Sequence, residues 1–174
     1  MVTNFTPHGD GNVQLWASSR DMELVSYVLP LASGSQRLAM QHLGVKAFPP
    51  SGLDIVVIRD LEERSVPGWG MLLFSLSALS YNASVNQTWV KSQSAALIMH
   101  QVLLQWFSAY VTPRPGVDAW MGDALAYVYK RSLLTALNPG LGQNWRLRVL
   151  DRCAVMHAED IRRPTHWLKA GLVL

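Results

Sequence analysis

Two clusters of side chains in this sequence have types that could bind a metal or move a proton. The first is His100-Gln101-Val102-Leu103-Leu104-Gln105-Trp106-Phe107. On a helix, His-Glu-x-x-His sets two imidazoles one turn apart on one face to hold Zn²⁺, and the glutamate takes a proton from bound water. Here His100 supplies the first imidazole, Gln101 stands at the position of the base and Leu104 at that of the second ligand. The second cluster, Trp120-Met121-Gly122-Asp123-Ala124-Leu125-Ala126-Tyr127, carries one carboxylate, Asp123. Taken alone, a histidine on an apolar helix face reads as a packed side chain bonded to a backbone carbonyl. His157, Glu159, Asp160 and His166 are ligands by type, but no spacing ties them to His100. The serines lack a Gly-x-Ser-x-Gly elbow. Gly9-Asp10-Gly11 and Gly140-Leu141-Gly142 lack the further glycines of a nucleotide loop.

The elements that would position these clusters follow from periodicity and punctuation. Residues 1–11, with Pro7, Gly9 and Gly11, read as an aperiodic lead-in. Val13 to Ala17 alternates apolar and polar as a strand does. From Asp21, a favourable N-cap, a helical pattern runs to Leu43 with an interruption expected near Pro30 to Ser35. Gly44 to Gly52 is a loop, and Leu53 to Ile58 and Gly70 to Leu76 are β-branched or apolar runs typical of buried strands. Thr88 caps a helix running to about Tyr110 or Val111, stopped by Pro113 and Pro115. On it Leu97, His100, Leu104, Phe107 and Val111 share a face, which is expected to be the core stripe. Asp118 caps a helix to about Leu137, and a third helix is expected over Leu141 to Ala158.

In their order and spacing these residues resemble the aminopeptidase N family of zinc peptidases. Its zinc helix runs His-Glu-x-x-His-Gln-Trp-Phe, followed by a Val-Thr turn and a second helix with Trp-Leu-Asn-Glu-Gly-Phe-Ala. Gln105-Trp106-Phe107, Val111-Thr112 and the segment around Asp123 match those features in turn. Upstream, Arg64-Ser65-Val66-Pro67-Gly68-Trp69-Gly70 is similar to the family's Gly-x-Met-Glu-Asn-Trp-Gly, whose glutamate grips the amino terminus of a peptide. The resemblance covers about residues 12–160. It implies an α+β fold, a thermolysin-like (gluzincin) peptidase domain with a small N-terminal sheet followed by helices. It also implies a peptidase-like domain over 12–174, flanked by other domains of the same polypeptide.

The same resemblance assigns roles to positions. His100 and Asp123 are remnant metal ligands, Leu104 replaces the second histidine, Gln101 replaces the general base, and Pro67 and Gly68 stand at the amino-terminus anchor. A carboxamide has no basicity near neutral pH. Proline offers neither carboxylate nor N–H to an ammonium group. The expectation is therefore a domain that has lost zinc, the family's cofactor, and with it catalysis, while keeping a role in binding a peptide or protein. Two alternatives stand beside it: an active zinc aminopeptidase with an unusual ligand set that uses Asp123 and a residue from outside the chain, and a fragment with no independent role. The family's tyrosine that stabilises the tetrahedral intermediate is expected beyond Leu174.

Composition bounds the remainder. At 174 residues the chain is the size of one domain with a real core, and 49% hydrophobic residues with seven tryptophans suggest apolar surface shared with other domains. The net charge is only +3. Arg146, Arg148, Arg152, Arg162 and Arg163 read as a solvated helix face, so no nucleic-acid partner is expected. Cys153 is the single cysteine, which excludes an internal disulfide. The apolar run from Ala95 to Val111 is too short for a membrane span, and the start lacks signal-peptide features. Sequons at Asn4, Asn82 and Asn86 point to an extracellular or membrane-anchored ectodomain.

Overall fold

The structure, a computed structural model, describes residues 5–10, 12–45, 51–82, 84, 88–111 and 118–137. A mixed five-stranded sheet contains β1 (Phe5–Asp10), β2 (Val13–Ser18), β3 (Leu53–Ile58), β4 (Ser65–Gly68) and β5 (Met71–Ser75), in spatial order β1-β2-β3-β5-β4. β2, β3 and β5 are parallel, and the antiparallel strands β1 and β4 form the two edges. Two helices, α1 (Met22–Val25) and α2 (Val28–Leu43), cross over from β2 to β3. The short α3 (Leu76–Leu79) leaves β5. Then come α4 (Thr88–Leu104), which continues as a π-helix over Gln105–Tyr110, and α5 (Ala119–Leu137).

A sheet followed by helices is the arrangement the sequence implies, and it arises from burying alternate strand residues. Leu15 and Ala17 of β2, Ile55 and Val57 of β3, and Leu72 and Phe74 of β5 turn to one face. There they meet Val28, Ala32 and Ala39 of α2 and Ile98, Met99, Val102 and Leu103 of α4 in one cluster. Each large apolar side chain taken fully out of water contributes roughly 1.5–3 kcal/mol, so this shared face is what holds helices to sheet.

Four expectations are corrected. The lead-in is not aperiodic, since residues 5–10 form β1, paired with β2 from Phe5↔Ser18 to Asp10↔Val13. Pro7 is tolerated because β1 is an edge strand. The helix is not interrupted near Pro30 to Ser35. It breaks at Ser26 and Tyr27, and Pro30 falls in the first turn of α2, where its missing N–H has no helical partner to lose. Gly34 continues that helix, with Leu137 Cδ1 3.5 Å from the place a Cβ would occupy, an ordinary contact distance. Asp21 makes no side-chain cap bond. Its carboxylate is instead held by Arg59, with Nε donating to Oδ2 at 2.8 Å and Nη2 to Oδ1. Finally, the stripe of Leu97, His100, Leu104 and Phe107 is only half-buried, while the deepest positions of α4 are Ala95, Ile98, Met99, Val102 and Leu103.

Other boundaries agree. Gly44 ends α2 in the left-handed region at φ 68°, and Val45 N–H returns to Met40 O at 3.0 Å. β3 has the expected limits, β5 begins one residue late at Met71, and α5 ends at Leu137. The helix expected over Leu141 to Ala158, the arginines near it, Cys153, Asn4 and Asn86 lie outside the described residues.

α5 reaches the π-helix through Gly122, where a Cβ would run into Phe107 O and Ser108 Oγ. Backbone of one helix thus touches backbone of the other. Gly122→Ala is expected to destabilise the fold by about 1–3 kcal/mol, because the obstruction is a carbonyl rather than a flexible side chain. Urea denaturation of the two proteins checks this.

Candidate functional site

Two buried carboxamides one turn apart, Gln101 of α4 and Gln105 of the π-helix, tie these helices to the edge of the sheet. Gly70 N–H donates to Gln105 Oε1 at 3.0 Å, and Gln105 Nε2 donates to Gly68 O at 3.0 Å. Gln105 is only 1% exposed. One side chain therefore satisfies both ends of the Trp69-Gly70 turn that joins β4 to β5. Gly70 has φ 73°, a conformation glycine adopts without steric cost, and a Cβ on Gly68 would sit 2.9 Å from Met71 O. One turn earlier, Gln101 Nε2 donates to Ser65 Oγ at 2.9 Å. Its Oε1 is buried and meets no partner among the described residues.

The π-helix starts at Gln105, and Val111 N–H bonds Trp106 O at 2.8 Å, five residues back. Widened turns of this kind frequently occur at functional sites. Here the widening follows directly on His100 and Leu104.

From α5, Asp123 meets His100 across the helix pair, Oδ1 to Nε2 at 3.0 Å. The hydrogen bond from His100 holds the Asp123 carboxyl below its ordinary range, overcoming the opposite effect of partial burial. His100 Nδ1 is buried with no partner among the described residues. Leu104, one turn from His100, lines a groove of about 340 Å³ together with Pro67, Gly68, Trp69, Ser108 and Asp123.

The structure therefore brings together the positions singled out by spacing. Pro67, Gly68, Leu104 and Asp123 share one groove, and His100 reaches it through Asp123. Gln101 does not line it and turns to Ser65 instead. The sequence reading missed three features: Gln105 as the clamp, Ser65 as the partner of Gln101, and Trp69 stacked on Tyr110 at 6.2 Å. Gln105 had a signal in the retained Gln-Trp-Phe; the other two pairings are tertiary.

As a zinc site the described residues do not fit. A catalytic zinc needs three protein ligands, and no three His, Cys, Asp or Glu side chains come together among the described residues. Leu104 presents hydrocarbon at one ligand position. A metal-bound histidine also gives its second ring nitrogen to an acceptor, and His100 Nδ1 finds none among the described residues.

With this helix pair, edge strand and groove described, kinship can be stated. A family model described as the peptidase family M1 domain matches residues 38–171. The chain belongs to the peptidase M1 family. The match begins inside α2, so β1 and β2 fall before it, and β3 through α5 fall within it. Aminopeptidase Q of Homo sapiens is 23% identical over 91 residues, covering 52% of this chain and 9% of that protein. Aminopeptidase N of Rattus norvegicus is 24% identical over 116 residues, covering 66% of this chain and 12% of that protein. Puromycin-sensitive aminopeptidase of Caenorhabditis elegans is 27% identical over 79 residues, 45% of this chain and 8% of that protein. The chain thus corresponds to about a tenth of the length of these M1 relatives.

In this M1 domain Gln105 is replaceable only at the cost of two backbone groups. Gln105→Ala is expected to lose about 2–4 kcal/mol, since Gly68 O and Gly70 N–H lose their side-chain partner in a buried setting. Faster amide exchange at Gly70, with little change in the middle of β3, would localise that loss.

Proposed function

We infer that this M1-family domain is catalytically inactive and is retained to bind a peptide or a protein partner. The observation that carries the reading is Gln101, at the position of the family's general base. Its amide is committed to Ser65 at 2.9 Å, and a carboxamide cannot take a proton from water near neutral pH. Leu104 and Pro67 support it independently, because both face the groove and neither can bind a cation or an ammonium group. The persistence of the groove itself, anchored by Gln105 on one wall and Gly122 on the other, supports a binding role.

On this reading the fold is a thermolysin-like peptidase domain within a larger polypeptide, and zinc is absent from its working form. An ectodomain setting is supported by the Asn82 sequon, whose asparagine is exposed and whose Oδ1 accepts from Ser84 N–H at 3.0 Å. No described helix is long and apolar enough to cross a membrane. A second reading, an active zinc aminopeptidase completed by a ligand from elsewhere, is favoured by one observation, the His100 to Asp123 contact.

An aminoacyl reporter separates the two. Incubated with zinc, the full chain is expected to release no more amino acid than a protein-free control, with or without chelator. Chelator-sensitive release that disappears in His100→Ala would establish the second reading instead.

A further inference from the structure

The groove has a chemistry of its own that the loss of catalysis leaves in place. Among the described residues, Asp123 is the single charged side chain that lines it, and no lysine, arginine or histidine does. The Asp123 side chain is 68% exposed. His100 engages one of its oxygens and fixes its direction, and a carboxylate retains further acceptor sites after one such bond. Lys130 of α5, buried with its Nζ 4.5 Å from the Tyr127 ring centroid, lies outside the groove lining, although its charge is felt at Asp123. Trp69 lines the same groove. It is 51% exposed and lies nearly parallel to Tyr110, with an interplanar angle of 12°. A carboxylate and an exposed indole lining one groove are groups that attract organic cations, because the ring face is negative.

The neighbouring edge strand limits how a partner can approach. Ser75 N–H donates to Arg64 O at 3.1 Å, and hydrogen-bonded pairs alternate along an antiparallel ladder. With Val66 opposite Leu73 and Gly68 opposite Met71, those two residues turn their backbone groups to β5, and Ser65 and Pro67 turn theirs outward. Pro67 has no N–H to offer there. A proline on an edge opposes the addition of a further strand. An incoming extended backbone would therefore find one outward donor, at Ser65, along this short strand.

We propose that the groove receives a cationic side chain of a partner polypeptide, inserted between Asp123 and Trp69, in place of an extended backbone laid along β4. Arginine suits it better than lysine, since a planar guanidinium both stacks on an indole and pairs with a carboxylate in two-pronged fashion. The proposal rests on the binding role inferred above and names the chemistry of the occupant. The recognition is non-covalent, so neither His100 nor Gln101 has to exchange a proton.

The test uses the full chain and the capped peptides acetyl-Leu-Arg-Leu-amide, acetyl-Leu-Lys-Leu-amide, acetyl-Leu-Gln-Leu-amide and acetyl-Leu-Glu-Leu-amide, followed by NMR titration. The arginine peptide is expected to bind about tenfold or more tightly than the glutamine peptide, with lysine between them and glutamate weakest. Its shifts should centre on Trp69 and Asp123. Asp123→Asn should bring the arginine and glutamine peptides level, and Trp69→Ala, at an exposed position, carries the same comparison should Asp123→Asn unfold. Equal affinity for all four peptides, or a preference for arginine that survives both substitutions, would overturn the proposal. Absence of binding by every peptide would overturn it as well, and would leave the inactivity reading standing. Chelator-sensitive hydrolysis in the reporter assay is the separate result that removes that reading.

Discussion

Gln105 joins the helix that carries His100 to the strand turn that carries Trp69, through two hydrogen bonds of 3.0 Å to backbone groups of Gly68 and Gly70. Both of the groups it satisfies belong to a turn that cannot be relieved by a larger residue, given φ 73° at Gly70 and the closeness of Met71 O to Gly68. A buried amide that meets two backbone partners leaves little freedom for the helix to slide or rotate against β4. The groove depends on this, because Pro67, Gly68 and Trp69 of the strand pair and Leu104 and Ser108 of the helix line it together.

The second wall depends on Gly122. By letting α5 approach the backbone of the π-helix, it sets Asp123 within 3.0 Å of His100. The positions that hold the frame and those that would run chemistry are therefore different residues. Gln105, Gly70 and Gly122 hold backbones together, whereas Gln101, Leu104 and Pro67 stand, on the function proposed above, at the base, ligand and anchor positions. A chain selected for its frame and released from its chemistry would keep the first set and let the second drift. The groove proposed above to take a cation is what such a frame would leave exposed.

Much of this was legible from residue types and spacing, and the exceptions have physical causes. β3 shows its limits because a β-branched run between Gly52 and Arg59 has one reading. The convergence of Pro67, Leu104 and Asp123 was readable because their order and intervals are those of a known site. β1 was hidden because Pro7 and Gly9 break alternation, and only pairing with β2 makes residues 5–10 a strand. The buried face of α4 was misread because apolar residues surround the helix and two of its inward positions, Ser94 and Gln101, are polar, as is Gln105 at the start of the π-helix. Periodicity also fails past Leu104, where the π-helix changes the residues per turn and Val111, expected on the stripe, ends 61% exposed. The partner of Gln101 was out of reach of any local pattern, since Ser65 lies on another element altogether.

Zinc retention turns on the side chain at residue 104, and metal content reads that directly. The full chain and its Leu104→His variant, each loaded with excess zinc and dialysed, can be compared by elemental analysis. The account predicts no stoichiometric zinc in the native chain and a clear gain in the variant, where a second imidazole would join His100 and Asp123. Stoichiometric zinc in the native chain, lost on His100→Ala, would contradict it.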